Sequence, residues 1–327
     1  MSYEYSEISF PLIKWILNPD RTISIGRFSI HIYGILIALG LMLAVVYAWK
    51  RCKQFGIRED DLTDGVLWIV PFAVVCARLY YCIFQWSSYK DNPISILYIW
   101  QGGLAIYGGV IGAAIGVVIH CKFKKIKIPA LLDLVALGFL IGQCVGRWGN
   151  FFNQEAYGCN TDLPWGMTGD IIQKGVNGEV ADQLSPVHPT FLYESLWCLL
   201  GALVLHVMFV KMYRFRGQIF ASYLIWYGAE RAVIEGLRSD SLMIGSVRVS
   251  QIVAILAVAI GATLLVLLPR SDKERARVLA AQSEEDEAVE ESDPTPLRVE
   301  TLTIDAEESL DGFENENTEE EEHGNDY

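Results

Sequence analysis

The sequence predicts an all-α integral membrane bundle of seven transmembrane helices, with the N-terminus outside and the C-terminus in the cytoplasm. Two observations carry that expectation. Apolar runs of about 18–22 residues recur along the chain, the length that crosses a hydrocarbon core of about 30 Å. Basic residues gather in alternate short loops, as they do on the cytoplasmic side of membrane proteins. Composition agrees: 52% of the 327 residues are hydrophobic and the mean hydropathy is +0.29.

The runs fall at 29–48, 64–84, 103–120, 129–149, 190–210, 217–237 and 249–268. The first loop holds Lys50, Arg51, Lys53 and Arg58, and the third holds Lys122, Lys124, Lys125 and Lys127. The fifth holds Lys211, Arg214 and Arg216, and Arg270, Lys273, Arg275 and Arg277 follow the last run. These segments are therefore expected in the cytoplasm.

Residues 1–270 are expected to form the membrane domain, with one long outer loop at about 150–189. Its Asn160, Pro164, Gly166, Gly169, Gly175 and Gly178 suit an irregular cap. The first 27 residues carry Glu4 and Glu7 and no basic-then-apolar signal-peptide pattern. The net charge of −13 conceals two parts. From Ser283 onward there are 19 acidic residues and one basic residue, Arg298, while the remainder holds 25 basic and 20 acidic residues. Residues 271–327 thus read as a disordered acidic cytoplasmic tail, too poor in apolar side chains to fold alone. No basic, aromatic-interleaved patch points to nucleic acid. The seven cysteines show no metal-ligand spacing and read as small buried hydrophobes, so neither a metal nor another cofactor is expected.

Charge inside a membrane helix costs about 2.5–3.5 kcal/mol at mid-span, so its placement is informative. Six of the seven runs place polar groups in their outer halves. They are His31 and Tyr33 in the first, Arg78 in the second, and Gly102, Gly103 and Tyr107 in the third. Arg147 and Asn150 end the fourth, His188, Tyr193 and Glu194 open the fifth, and Arg231, Glu235 and Arg238 close the sixth. The pattern predicts one polar chamber in the outer leaflet. Arg78 and Arg238 are also open to a simpler reading, in which they reach the outer head groups. Arg231, Glu235 and Arg238 share a helix face, and an Arg–Glu–Arg stripe leaves one positive charge for an anionic ligand. Glu235 then either holds the arginines or serves the ligand. Glycines repeat every four residues at Gly108, Gly112 and Gly116, and again at Gly138, Gly142 and Gly146. Such ridges permit close helix packing or leave room for an acyl chain.

The stretch from Gly146 to Glu155, GRWGNFFNQE, is the densest in polar groups. A guanidinium at Arg147 can grip a phosphate with two parallel donors. Asn150 and Asn153 offer neutral donors to phosphate or hydroxyl oxygens. His188 precedes Pro189, which suits a first helical turn, and either caps the outer loop or takes part in chemistry.

These residues resemble the prolipoprotein diacylglyceryl transferase family of bacterial membranes. The family signature is similar to GRWGNFFNQEAYG, Gly146 to Gly158. The resemblance extends to HIYG at His31, ARLYY at Ala77, GGLAIYGG at Gly102, DLPWG at Asp162, HPTFLYE at His188 and YGAERAVIEGLR at Tyr227. It covers nearly all of residues 28–268 and excludes the acidic tail. It implies a multi-pass cell-membrane enzyme that moves the diacylglyceryl group of phosphatidylglycerol onto the lipobox cysteine of exported prolipoproteins. That reaction is the first step of lipoprotein maturation, and it releases glycerol phosphate. Carried over by position, the resemblance implies head-group and phosphate roles for Arg147 and Arg231. Tyr33, Asn150, Glu155, Gly158 and Glu235 are then essential or structural, and the site faces the outer leaflet. Many members carry His in the third-span motif, where this chain has Tyr107.

The implied chemistry is displacement at carbon with a phosphate leaving group. The nucleophile is the substrate's own thiol, of which only a few per cent is thiolate at pH 7. Arginines stabilise the charge growing on the phosphate and favour the thiolate. Tyr107 is either an orienting hydrogen-bond donor or the base. The rival class is a receptor or anion transporter. No run holds a Lys to carry retinal, and neither repeat symmetry nor midplane charge suggests transport.

Overall fold

The computed structural model describes residues 8–10, 15–17, 21–25, 28–99, 102–169, 171–172, 186–238, 243–244, 247–268, 276–281 and 283–284. Among them are seven long helices: α1 (Ile32–Arg51), α2 (Glu59–Phe84), α3 (Ile106–Lys124), α4 (Ile128–Asn153), α5 (Thr190–Met212), α6 (Gln218–Leu237) and α7 (Val249–Leu267). Six of them are long and apolar enough to cross a membrane. The exception is α6, which has the length but carries Glu230, Arg231 and Glu235.

The helices fall where the apolar runs do, with shifts that have local causes. The first begins at Ile32 because Phe28–His31 is a strand, β4, paired antiparallel with β3 (Thr22–Ile25). The fourth runs on through Asn153, so the loop that follows begins four residues later than its polarity suggested. Short strands were not foreseen at all. β1 (Ile8–Phe10) pairs with β2 (Trp15–Leu17) and with β5 (Thr168–Gly169). A last hairpin joins β6 (Met243–Ile244) to β7 (Val247–Arg248). Ile8, Phe10, Phe151, Met167, Val187 and Phe191 form a small core that ties this strand layer to the ends of α4 and α5.

Both glycine ridges are helix contacts. A Cβ on Gly108 would lie 2.6 Å from the Cys76 carbonyl oxygen, and one on Gly112 2.5 Å from Cys76 Cβ, so α3 lies against α2. On α4, Gly138, Gly142 and Gly146 face Ala44, Gly40 and Ile37 of α1. Small residues let helix backbones approach where no hydrophobic difference from lipid drives association. These faces are closed by protein, which removes the acyl-chain alternative for them.

Two buried polar groups fix the frame. Asp133, fully buried on α4, accepts hydrogen bonds from Tyr213 Oη (2.8 Å) and the backbone N–H groups of Gly217 (2.6 Å) and Phe220 (2.8 Å). It satisfies orphan donors at the start of α6 and pins that helix to α4. Arg78 lies buried on α2 and donates to the carbonyls of Ser95, Ile96, Gly102 and Gly103 at 2.7–2.9 Å. It organises the connection to α3, and its guanidinium is taken up by backbone carbonyls.

The start of the acidic tail departs from expectation. Residues 276–281 are helical, and Val278 is 2% exposed in the core with Cys52, Phe55 and Ile57. Arg277 Nη2 donates to the Gln54 carbonyl at 3.4 Å. The expected boundary near residue 270 therefore understates the folded body, whose compact unit runs to Glu284. Residues 269–275, 282 and 285–327 lie outside the described residues. Truncation after Glu284 is expected to leave transfer activity within a few-fold of normal. Truncation after Leu268 uncovers Phe55 and forfeits the burial of Val278, about 1.5–3 kcal/mol. Melting curves of the two truncated proteins in detergent check this, and identical curves would show that the Val278 contact contributes nothing.

Candidate active site

Three helices bring charge together at the end of the bundle away from the basic loops. Arg147 lies on the last two turns of α4, Glu194 on the first turn and a half of α5, and Arg231 two turns before the end of α6. Glu194 is 1% exposed and forms ion pairs with both arginines, with Arg147 Nη2 and with Arg231 Nη1 at 3.8 Å. Arg231 Nη2 also meets Glu235 at 2.7 Å, one turn along the same helix face. Glu230, at 6% exposure, lies within Coulombic reach of Glu194, Arg147 and Arg231. The site therefore holds two guanidiniums among three buried carboxylates. This overturns the surplus positive charge inferred from the α6 stripe. Glu194 was legible only as one of several polar groups, and Glu230 was not singled out.

The packing around the cluster holds it still. Trp148 Nε1 donates to Ser195 Oγ at 3.2 Å, and Ser195 Oγ donates to the Cys144 carbonyl at 2.8 Å, linking α4 to α5 beside the ion pair. Trp148 and Phe151 pack on Phe191, with ring centroids 5.4 and 4.9 Å apart. The Tyr33 ring of α1 lies against Gly149, where a Cβ would come within 2.9 Å of its Cε2. That close approach explains the glycine within the GRWGN stretch.

A second polar group adjoins the first. Past α4 the chain turns through Gln154 and Ala156, both left-handed at φ 53° and 57°. Non-glycine residues adopt this conformation at a cost. The turn folds Glu155 back, and Glu155 Oε1 accepts from Asn150 Nδ2 (3.0 Å) and Asn153 Nδ2 (3.2 Å). Arg21 Nη2 donates to the Asn153 carbonyl at 2.7 Å. Tyr33 is within Coulombic reach of both Glu155 and Arg147.

Other expected residues lie apart from the charges. His188 donates its backbone N–H to Cys159 O and accepts from Gly158 N, each at 3.0 Å. Its Nδ1 shares a 3.2 Å hydrogen bond with Tyr193 Oη, which also accepts from Trp165 Nε1 at 2.7 Å. Burial pushes the His188 imidazole below its ordinary pKa, so it is neutral near pH 7. It stitches together the loop between α4 and α5. Arg238 ends α6 in extended conformation and bridges to Gly158, while Cys159 N donates to Leu237 O at 2.7 Å. Tyr107, near the start of α3, is 67% exposed and makes no hydrogen bond, ion pair or ring contact with any described residue.

The comparisons with known proteins bear on this geometry. The family model described as prolipoprotein diacylglyceryl transferase matches residues 21–267, which include every charged group of the cluster. The chain belongs to the prolipoprotein diacylglyceryl transferase family. Among its relatives is the phosphatidylglycerol–prolipoprotein diacylglyceryl transferase of Limosilactobacillus reuteri, 42% identical over 80% of this chain and 94% of the relative. Proteins of the same name from Finegoldia magna (45% identical, 74% of this chain, 92% of the relative) and Halalkalibacterium halodurans (42%, 75% and 85%) are similar. The matched region of this family member stops short of Val278 and of the acidic tail.

Proposed function

We propose that this transferase family member carries out the first step of lipoprotein maturation at the Arg147–Glu194–Arg231 cluster. It moves the diacylglyceryl group of phosphatidylglycerol to the thiol of a prolipoprotein's lipobox cysteine. The observation that supports the site is the sharing of one buried carboxylate by guanidiniums from two helices. Glu194 and Glu235 hold the two planar groups in fixed orientation. An arriving phosphodiester takes up their remaining donors.

The reaction builds charge on the phosphate as its bond to the glycerol carbon breaks. Two guanidiniums bind that transition state more tightly than the lipid's single charge, which is the condition for catalysis. Asn150, Asn153 and Glu155 form a neutral-and-acidic patch suited to the hydroxyls of the glycerol head group. Tyr33 lines the passage between the two. Tyr107, exposed and unengaged, orients the incoming thiol by hydrogen bonding in this reading. His188 and Arg238 keep the outer loop in place over the site.

All seven helices cross the membrane in this reading, α6 included, since Arg231 and Glu235 pair within the bundle and Glu230 is buried there. The basic loops support a cytoplasmic C-terminus, which would leave the cluster in the outer leaflet, where exported proteins arrive.

Purified enzyme incubated with phosphatidylglycerol and a lipobox peptide should add the diacylglyceryl mass to the peptide. No mass gain from well-folded protein sinks the reading. Orientation has its own test. Cys159 is exposed and should react with an impermeant thiol reagent in intact cells. Cys52 and Cys121 are buried and silent from either side, so the cytoplasmic control is a cysteine placed at exposed Lys125. Labelling of Lys125→Cys with Cys159 silent inverts the topology.

A further inference from the structure

One carboxylate at the site has no task in the mechanism above. Glu155 is engaged by Asn150 and Asn153, Glu194 by both arginines, and Glu235 by Arg231. Glu230 is 6% exposed, and its Oε1 is buried with no hydrogen-bond partner among the described residues. A buried polar oxygen left unengaged typically costs about 1–3 kcal/mol, so its retention calls for a reason. Glu230 shares a face of α6 with Tyr223, Tyr227 and Ile234, and sits one residue before Arg231.

We propose that Glu230 is the base that accepts the proton of the lipobox cysteine thiol. The proposal rests on the transferase reading and names the group that reading lacks. The other candidates have other tasks. His188 is tied to Tyr193, and Tyr107, 67% exposed and without an ion pair to any described residue, has the orienting role given above. The thiol needs such help because it is mostly protonated at neutral pH. In the step, the S–H proton passes to the Glu230 carboxylate. The sulfur electron pair forms the bond to the glycerol carbon. The bond from that carbon to the phosphate oxygen breaks, and its pair leaves with glycerol phosphate between Arg147 and Arg231. The proton then passes from Glu230 to the departing phosphate or to water, which restores the carboxylate. No other reactant is required.

The charged and titratable groups around Glu230 come from each packed helix. α4 supplies Arg147, and α5 supplies Glu194 and Cys198. α6 itself supplies Tyr223, Tyr227 and Arg231. α7, which packs along α6, has no titratable side chain between Val249 and Leu267.

The test uses full-length enzyme, phosphatidylglycerol and two peptides, one with the lipobox cysteine and one with selenocysteine, whose selenol ionises at neutral pH unaided. Glu230→Gln keeps the shape and removes the base. With the thiol peptide at pH 7 it should be slower than wild type by about a hundredfold or more, the usual worth of a positioned base. Its rate should climb with pH as the thiol ionises in solution. The selenol peptide should restore it to within about tenfold of wild type at pH 7. Tyr107→Phe, run alongside, should show the same defect with both peptides. An Glu230→Gln enzyme as fast as wild type at every pH overturns the proposal. So does one equally slow with both peptides, since Glu230 would then be structural. If the variant does not fold, wild type decides: its acidic limb should be present with the thiol and absent with the selenol, and a limb shared by both refutes the base. Wild type inactive with either peptide would defeat the transferase reading itself.

Discussion

Arg147→Ala and Arg231→Ala are each expected to reduce diacylglyceryl transfer by about a hundredfold to a thousandfold, the usual loss when one preorganised donor to a developing anion is removed. The physical basis is that both guanidiniums are already oriented by Glu194, with Arg231 also held by Glu235 at 2.7 Å. Little reorganisation remains at the moment charge moves to phosphate. Lysine keeps the charge and loses the planar fork. Arg147→Lys and Arg231→Lys should therefore each cost at least about tenfold, or about 1.4 kcal/mol. Stability must be followed beside activity. Deleting one partner of a buried ion pair leaves the other charge uncompensated and costs about 3–5 kcal/mol. The Arg147→Ala/Glu194→Ala pair separates the two effects, because melting temperature should recover while turnover does not. Normal turnover in both lysine variants would mean that a diffuse positive field suffices. Full activity of both alanine variants would move the phosphate site elsewhere.

Glu194→Gln should be the next most damaging change. The side chain is buried, keeps its shape in the variant, and loses the charge that two arginines share. Turnover is expected to fall about a hundredfold, the scale on which a misplacement of about 1 Å in a catalytic group is felt. The KM for phosphatidylglycerol should change less than threefold, since both guanidiniums remain to attract the lipid. A raised KM with unchanged kcat would make Glu194 a ligand of the lipid instead of the holder of the arginines.

Much of the architecture is legible in the sequence. A run of apolar residues of bilayer length has one stable outcome in lipid, a helix that satisfies its own backbone. Each of the seven runs coincides with a helix to within about five residues, and six of those helices are long and apolar enough to cross a membrane. Arg147 and Arg231 stood out because a charge in such a segment is expensive, and the motifs around them placed the chain in its family. The strands at Ile8–Phe10 and Trp15–Leu17 were not legible. Their pairing with Thr168–Gly169 depends on residues far apart in the chain.

The partners of the charges were decided only by the folded structure. Helix spacing places Arg231 beside Glu235, but it cannot say that Glu194 from α5 enters between Arg231 and Arg147. The same limit hid the carbonyls that engage Arg78, the turn that Asp133 caps, and the docking of Val278 beside Phe55. Sequence determined which segments are helical and which charges lie within them, because hydrophobic length and local period act along the chain. Tertiary structure decided which charges neutralise one another and left Glu230 unengaged, because Coulomb energy falls with distance in space and takes no account of separation in sequence.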